Sequence, residues 1–120
     1  MKEKINLYLD DLRDCPESFI LARTIEEAKY YLENFVVRIL SLDHDLGIDE
    51  KGNLLPIGYD LVKYVCENGL RADNIYLHTD NPVGRLNMHE TLIGAQRRGF
   101  IDIDIEIYNR PVVPNKYTER

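Results

Sequence analysis

The chain has 120 residues, 44% of them hydrophobic and 30% charged, which describes a single domain over 1–120 with one core and excludes a multidomain reading. Fifteen Lys and Arg against 21 Asp and Glu give a formal charge of -6, which opposes binding along an extended nucleic-acid backbone. A small phosphate is still compatible with that charge, because a few local cations or a divalent metal reverse the field at one pocket.

No apolar run approaches the roughly 20 residues that cross a bilayer, and the first residues lead straight into a strand-like segment, so neither membrane anchor nor signal peptide is expected. Cys15 and Cys66 match no zinc spacing. The expectation is a cytoplasmic protein with reduced thiols.

In chain order, Ile5 to Leu9 reads as a strand that stops at Asp10 and Asp11. Phe19 to Ala22 is a second short apolar run. Thr24 with Glu27 has the capping-box spacing, and Ile25, Ala28, Leu32 and Phe35 recur at helical intervals, so the spacing predicts an amphipathic helix over 25–34. Val36 to Leu42 is nearly continuous in apolar residues and suits a strand buried on both faces, again ending in acids, Asp43 and Asp45. A loop with Gly47, Gly52 and Pro56 precedes a helix marked by Ile57, Leu61, Tyr64 and Val65 and ended near Gly69. Ile75 to Leu77 is a fourth strand running into His78, Thr79, Asp80, Asn81 and Pro82, after which a helix carries Leu86, Ile93 and Ala95 to Gly99. Ile101, Ile103, Ile105 and Ile107 alternate with polar residues, which predicts a half-exposed edge strand.

Strands separated by helices of this length predict an α/β fold with a parallel five-stranded sheet, most simply in the order 2-1-3-4-5. Ligands of such sheets sit at the carboxyl ends of the strands, where the three polar clusters fall. The connection between the first two strands has only about nine residues, short of the dozen or so of a helical crossover, so a full first helix is not expected. Pro111 and Pro114 exclude a long last helix. One sheet face, bearing Tyr8 and Tyr76, is therefore expected to be thinly covered: a surface for a second copy, for a covering tail or for solvent.

Asp10 and Asp11 beyond one strand and Asp43 beyond its neighbour crowd several carboxylates together. Mg²⁺ or Mn²⁺, which prefer oxygen ligands and bridge to phosphates, would offset their repulsion; capping of loops or helix starts is the alternative role. In the DHD triplet, Asp43 is the first choice for the pocket. Asp45 offers a carboxylate or only its carbonyl to the metal. His44 offers a contact to the ligand, an acid or base, a partner for a carboxylate, or a surface residue. In HTDNPVGRLNM, Arg85 is fit to grip phosphate oxygens in two-pronged fashion, Asn81 and Asn87 supply neutral donors, and His78 can exchange a proton with a reacting oxygen. The alternative is that Asn81 and Pro82 simply start a helix, Arg85 pairs with a surface acid and Met88 is core. His89 reads as a surface or packed residue.

These motifs together, LDDLRD, SLDHDLG, PIGYDL and HTDNPVGRLNM, resemble the cyclic-phosphate processing receiver domains, relatives of the response-regulator receiver fold proposed to act on cyclic phosphates in RNA repair and nucleotide signalling. The resemblance covers roughly residues 5–112. It implies that Asp10 and Asp11 hold Mg²⁺, that Asp43 takes the phosphoacceptor position and that Asp45 lends a backbone carbonyl to the metal. Thr79 falls near the receiver's strand-4 hydroxyl, and Arg110 before Pro111 resembles its lysine and proline. A receiver lacks the cluster of His78, Asn81, Arg85 and Asn87 and has a lysine where Arg110 stands; the first and last helices not expected here commonly carry a receiver's signalling contacts, which argues against phosphotransfer from a histidine kinase.

The expected function is metal-dependent hydrolysis, a phosphoesterase activity, on a small cyclic or terminal phosphate of a nucleotide or RNA end. Asp10, Asp11, Asp43 and Asp45 would hold the metal, Arg85 and Asn81 would offset oxygen charge, and His78 would protonate the leaving ribose oxygen. The alternative is a non-catalytic receiver-like module that senses a phosphate or cyclic nucleotide or contacts a protein. A third reading takes Asp43 and Asp45 as the nucleophile and acid of an aspartyl-phosphate phosphatase, as in haloacid-dehalogenase enzymes, whose DxD instead follows the first strand of a longer chain.

Overall fold

The computed structural model describes residues 3–10, 14–43, 51 and 58–111. Five strands, β1 (Lys4–Leu9), β2 (Ile20–Ala22), β3 (Val36–Leu42), β4 (Ala72–Leu77) and β5 (Glu106–Tyr108), form one sheet in the order β2-β1-β3-β4-β5. Every pair is parallel. Three helices, α1 (Ile25–Asn34), α2 (Gly58–Asn68) and α3 (Pro82–Arg98), make the crossovers β2 to β3, β3 to β4 and β4 to β5. This is the receiver-like α/β fold expected from the sequence.

All three crossovers run in the same direction across the sheet, and right-handed connections therefore place all three helices on one face. Helix α1 packs on α2, and α2 on α3. The step from β1 to β2 runs the other way, so a helix there would cover the opposite face; among the described residues, 14–19 hold none. Among the described residues the result is two layers where a doubly wound sheet has three.

Alternation along the strands sets the core. Leu7 and Leu9, Leu40 and Leu42, and Ile75 and Leu77 point to the helices and are essentially buried, with Ala22 beside them. Ile25, Ala28 and Leu32 of α1, Leu61, Val62 and Val65 of α2, and Met88, Leu92 and Ala95 of α3 meet them at helical spacing. Burying each large aliphatic side chain contributes about 1.5–3 kcal/mol, so truncating Leu42 at the centre of the sheet would cost about 2–5 kcal/mol. The ladder of β1 with β3 slips once, Ile5 facing Val37 and Asn6 facing Ile39, which leaves Arg38 as an extra residue and resets the alternation. The Asn74 side-chain amide donates to the Arg38 carbonyl at this bulge, 3.4 Å away.

Helix ends follow their local chemistry. Thr24 Oγ1 accepts from the Glu27 amide at 3.2 Å, the first half of the capping box. The second half is displaced by one residue, because Glu27 Oε1 accepts from the Arg23 amide at 2.7 Å. Gly69 and Gly99, at φ 61° and 82°, end α2 and α3 in the left-handed conformation that glycine adopts without steric cost.

The last strand differs from the expectation. The isoleucine alternation of 101–107 is not a continuous strand: only Glu106–Tyr108 pairs with β4, Ile101 and Ile105 are buried, and Ile103 is 78% exposed on a turn. Arg71 explains the turn, gripping Asp102 Oδ2 at 2.8 Å and Asp104 Oδ1 at 2.9 Å. The Gln96 side-chain amide donates to the Asp102 and Ile105 carbonyls, at 3.1 and 2.7 Å, and so consumes backbone acceptors that a strand would use in its ladder.

Two other expectations are refined. The fourth strand begins at Ala72, earlier than Ile75. The helix-free face is present among the described residues, but Tyr8 on it is buried, because Phe19 meets the ring edge-on at 5.9 Å and His78 stacks on it. Tyr76 and Tyr108 stack at 4.5 Å further along the same face.

Candidate metal and phosphate site

The register of the sheet builds the site. Tyr8, Ser41 and Tyr76 lie side by side on the helix-free face. The parallel ladder continues one residue past the strands: the amide of Asp10 donates to Ala22 O at 3.1 Å, that of Asp43 to Leu9 O at 3.0 Å, and that of His78 to Leu42 O at 2.9 Å. Residues 10, 43 and 78 are each two positions beyond the aligned trio, so their side chains leave the sheet edge in the same sense. Asp10, Asp43 and His78 each offer one ligand atom within 4.8 Å of the others, the one such group among the described residues.

His78 is the centre of a buried polar chain. Its Nε2 lies 3.0 Å from Asp10 Oδ2, and its Nδ1 lies 2.7 Å from Ser41 Oγ. Asp10 is 1% exposed, His78 3% and Ser41 0%. Facing an ionised carboxylate, Nε2 must carry the proton and donate; in a neutral ring Nδ1 then accepts from the Ser41 hydroxyl. The Tyr8 ring closes one side of the imidazole, with centroids 4.2 Å apart and planes 4° apart. Arg23 Nη1 donates to the Asp10 carbonyl at 3.4 Å, which ties the end of β1 to the residue after β2. Asp43 is the half-buried member of the cluster and the one nearest solvent.

The start of α3 stands directly after this chain. Asn81 is the N-cap, its Oδ1 accepting from the Gly84 amide at 2.9 Å, and Pro82 occupies the first turn, where its missing N–H costs nothing. The Asn81 amide donates to Thr79 Oγ1 at 3.1 Å, and Arg85 Nη1 donates to the Thr79 carbonyl at 3.3 Å. Thr79, Asn81 and Arg85 thus form one turn, beginning one residue beyond His78. Met88 is fully buried in the core.

The sequence-based candidates separate into three groups. Asp10, Asp43 and His78 come together, with Thr79, Asn81 and Arg85 alongside. Asn87 is exposed and lines a polar hollow with Tyr59, Glu90, Thr91, Gly94 and Arg98, away from the Thr79–Arg85 turn. Asp11, His44 and Asp45 lie outside the described residues, as does the loop with Gly47, Gly52 and Pro56. The guanidinium of Arg110 lies over the rings of Tyr108 and Tyr76, at 4.9 and 5.6 Å. Ser41 was not singled out by motif. The available signal was a lone hydroxyl in the buried run VVRILSL, at the position that faces away from Leu40 and Leu42.

The donor set fits a divalent cation. The carboxylates of Asp10 and Asp43 at the sheet edge provide hard oxygen ligands that suit Mg²⁺ or Mn²⁺, while His78, with both ring nitrogens engaged, orients Asp10. No helix among the described residues is long and apolar enough to cross a membrane.

A family model, the cyclic-phosphate processing Receiver domain, matches residues 5–94, from the start of β1 well into α3. No curated protein and no solved structure gives a match. The matched span takes in all of the sheet edge that assembles Asp10, Asp43, His78 and Arg85, and β5 completes the same topology beyond it. The chain belongs to the cyclic-phosphate processing receiver domain family.

Proposed function

We propose that this protein hydrolyses a small cyclic or terminal phosphate carried by a nucleotide or an RNA end, with Asp10 and Asp43 holding Mg²⁺ or Mn²⁺. The observation that carries the reading is the convergence of Asp10, Asp43 and His78 within 4.8 Å at the strand ends, beside the turn that bears Arg85. The cation supplies polarisation of the phosphoryl oxygens and activation of water when bound.

The chain's own groups divide the remaining work. Asp10 is held by His78, so its carboxylate is oriented before any ligand arrives. Asp43, partly open to solvent, faces the incoming phosphate. Arg85, held at the Thr79 carbonyl, offsets negative charge on the non-bridging oxygens, and Asn81 contributes a neutral amide. Attack on phosphorus breaks the bond to a ribose oxygen, which leaves as an alkoxide and needs a proton near neutral pH. Solvent water supplies that proton, because the single proton of the neutral His78 ring is spent on Asp10 Oδ2.

Incubation with 2',3'-cyclic nucleotides, with Mn²⁺ or with a chelator, tests the reading. The expected result is a nucleoside monophosphate formed only with metal. No product at high protein concentration would overturn the catalytic assignment. The deep burial of Asp10 and His78 favours one other reading, a phosphate sensor whose preset site binds without turnover. Calorimetry showing a stable complex with an uncleaved cyclic nucleotide would favour that reading.

A further inference from the structure

We propose that Tyr76, Tyr108 and Arg110 form a stacking platform for a nucleobase, the base of the nucleotide next to the one that carries the reactive phosphate. The platform deepens the function proposed above and rests on it, because the phosphate site at Asp10 and Asp43 supplies the anchor.

The sheet register sets the platform beside that site. Tyr8, Ser41, Tyr76 and Tyr108 stand in one row across β1, β3, β4 and β5, on the helix-free face. Two positions further along the chain from each stand Asp10, Asp43, His78 and Arg110. The Tyr8 end of the row takes no base: Tyr8 and His78 stack on each other, both are buried, and Phe19 meets the Tyr8 ring edge-on. The other end is open. Tyr76 and Tyr108 are half-buried, Arg110 is exposed, and β5 is the last strand in the sheet order.

Stacked tyrosines on neighbouring strands are by themselves ordinary sheet packing. Arg110 sets this pair apart. Its guanidinium lies 4.9 Å from the Tyr108 ring centre and 5.6 Å from that of Tyr76, and it forms no ion pair among the described residues. The Tyr108 hydroxyl donates to the Glu106 carboxylate, which holds the ring in place before a ligand arrives. Near-parallel aromatic rings and a guanidinium are the groups on which proteins stack unpaired bases, since every base offers a π face. Tyr108 and Arg110 lie beyond the span 5–94 matched by the family model, so family membership does not supply them.

Distance selects which base is held. Tyr108 lies two strand spacings from Asp43, about 10 Å, and two residues back along the strands, about 7 Å, which puts the platform about 12 Å from the site. That is longer than the span from a base to a phosphate on its own ribose, and within reach of the base one nucleotide away. Charge agrees with distance. Arg110 follows Tyr108 on the side of the platform that faces the site, where its charge meets the phosphodiester joining the two nucleotides. The formal charge of -6 disfavours a longer strand, so a two-nucleotide end is the length that fits.

The test is calorimetry on the full chain with Mn²⁺, comparing adenosine 3'-phosphate with adenylyl-adenosine 3'-phosphate, both products rather than substrates of ring opening. The unsubstituted protein is expected to bind the dinucleotide about 5- to 150-fold more tightly, the range for one base stacked on an aromatic ring. Tyr108→Ala should remove most of that margin, and Tyr108→Phe should keep it. Arg110→Ala, at an exposed position, should shrink the margin and make it less sensitive to salt. If Tyr108→Ala does not fold, the unsubstituted protein and Arg110→Ala decide. Equal affinity for the two ligands in the unsubstituted protein overturns the platform and leaves the phosphate site standing. A margin that survives intact in either alanine variant overturns it as well. Binding of neither ligand overturns the phosphate site and the platform with it. A dimer seen by sedimentation and broken by Tyr108→Ala, with no margin between the ligands, gives these rings to a second copy and overturns the proposal.

Discussion

The ring of Tyr8 lies parallel to that of His78, with planes 4° apart and centroids separated by 4.2 Å, although the two residues come from β1 and from beyond β4. Strand β3 lies between them, and it contributes Ser41 to the same small volume. The stack closes one side of the imidazole placed with Asp10 and Asp43, so core packing and site geometry are the same contacts here.

Removing the ring should therefore be felt in stability first. Tyr8→Ala is expected to cost about 3–5 kcal/mol, the range for truncating a buried aromatic, as it opens a cavity between Phe19 and His78. Tyr8→Phe preserves the stacking ring and should cost much less. Urea unfolding of the two variants checks this, and equal costs would show that the hydroxyl dominates.

Neutralising either carboxylate should weaken metal binding without erasing the fold. Asp10→Asn and Asp43→Asn are each expected to lower Mn²⁺ affinity by more than about tenfold, since each removes one of the two carboxylates proposed to hold the cation. Calorimetry gives the affinities and circular dichroism the fold. Unchanged affinity in both variants would move the cation elsewhere.

Arg85 and Asn81 make separable contributions. Arg85→Ala should raise KM for a cyclic phosphate about 10- to 100-fold, and Arg85→Lys should recover little of it, because one ammonium cannot replace a two-pronged contact. Asn81→Ala removes the cap on Gly84 and should cost about 1 kcal/mol of stability by chemical denaturation. A stability loss in Arg85→Ala with unchanged kinetics would instead make that arginine a fastener for the Thr79 turn.

Cys66 should be a sluggish nucleophile. Burial is the main cause that pushes its thiol above the ordinary value of 9.0, and the neighbouring charge of Glu67 adds to it. A higher pKa means less thiolate at pH 8, so alkylation by iodoacetamide should be slower than for a free thiol and should speed up as pH is raised. Mass spectrometry of the labelled peptide reads the rate, and labelling as fast as glutathione would contradict this environment.

The Arg71 clamp predicts a small acid sensitivity. Its hydrogen bond is the largest cause holding the Asp104 carboxyl below its ordinary value of 3.8. A carboxyl lowered in the folded state contributes stability above its unfolded pKa and loses that contribution as pH falls through the folded value. Solvent screening keeps the effect modest. Arg71→Ala should flatten the pH dependence of unfolding in the carboxylate range, and an identical pH profile would show that the grip on Asp102 and Asp104 adds nothing.

Much of this protein was legible from its residues alone. Strand-length apolar runs, the cap at Thr24, the glycine stops at 69 and 99, and acids trailing two strands are local patterns, produced by backbone geometry within a few residues. They sufficed for the sheet order, for a sheet face left without helices among the described residues and for the gathering of Asp10, Asp43 and His78 at the strand ends. The isoleucine alternation of 101–107 misled because period-two spacing says nothing about a competitor for the backbone, and Arg71 and Gln96 arrive from other elements.

Only the tertiary structure decided what the site residues do to one another. Asp10 and His78 are 68 positions apart, and Ser41 and His78 are 37 apart. Their contacts depend on the register of three strands, which one slipped residue would reverse face for face. For the same reason Ser41 looks like an ordinary strand residue until its neighbour just beyond β4, His78, is known. Asn87, only two residues beyond Arg85, points to a different hollow because a helix turns about 100° per residue.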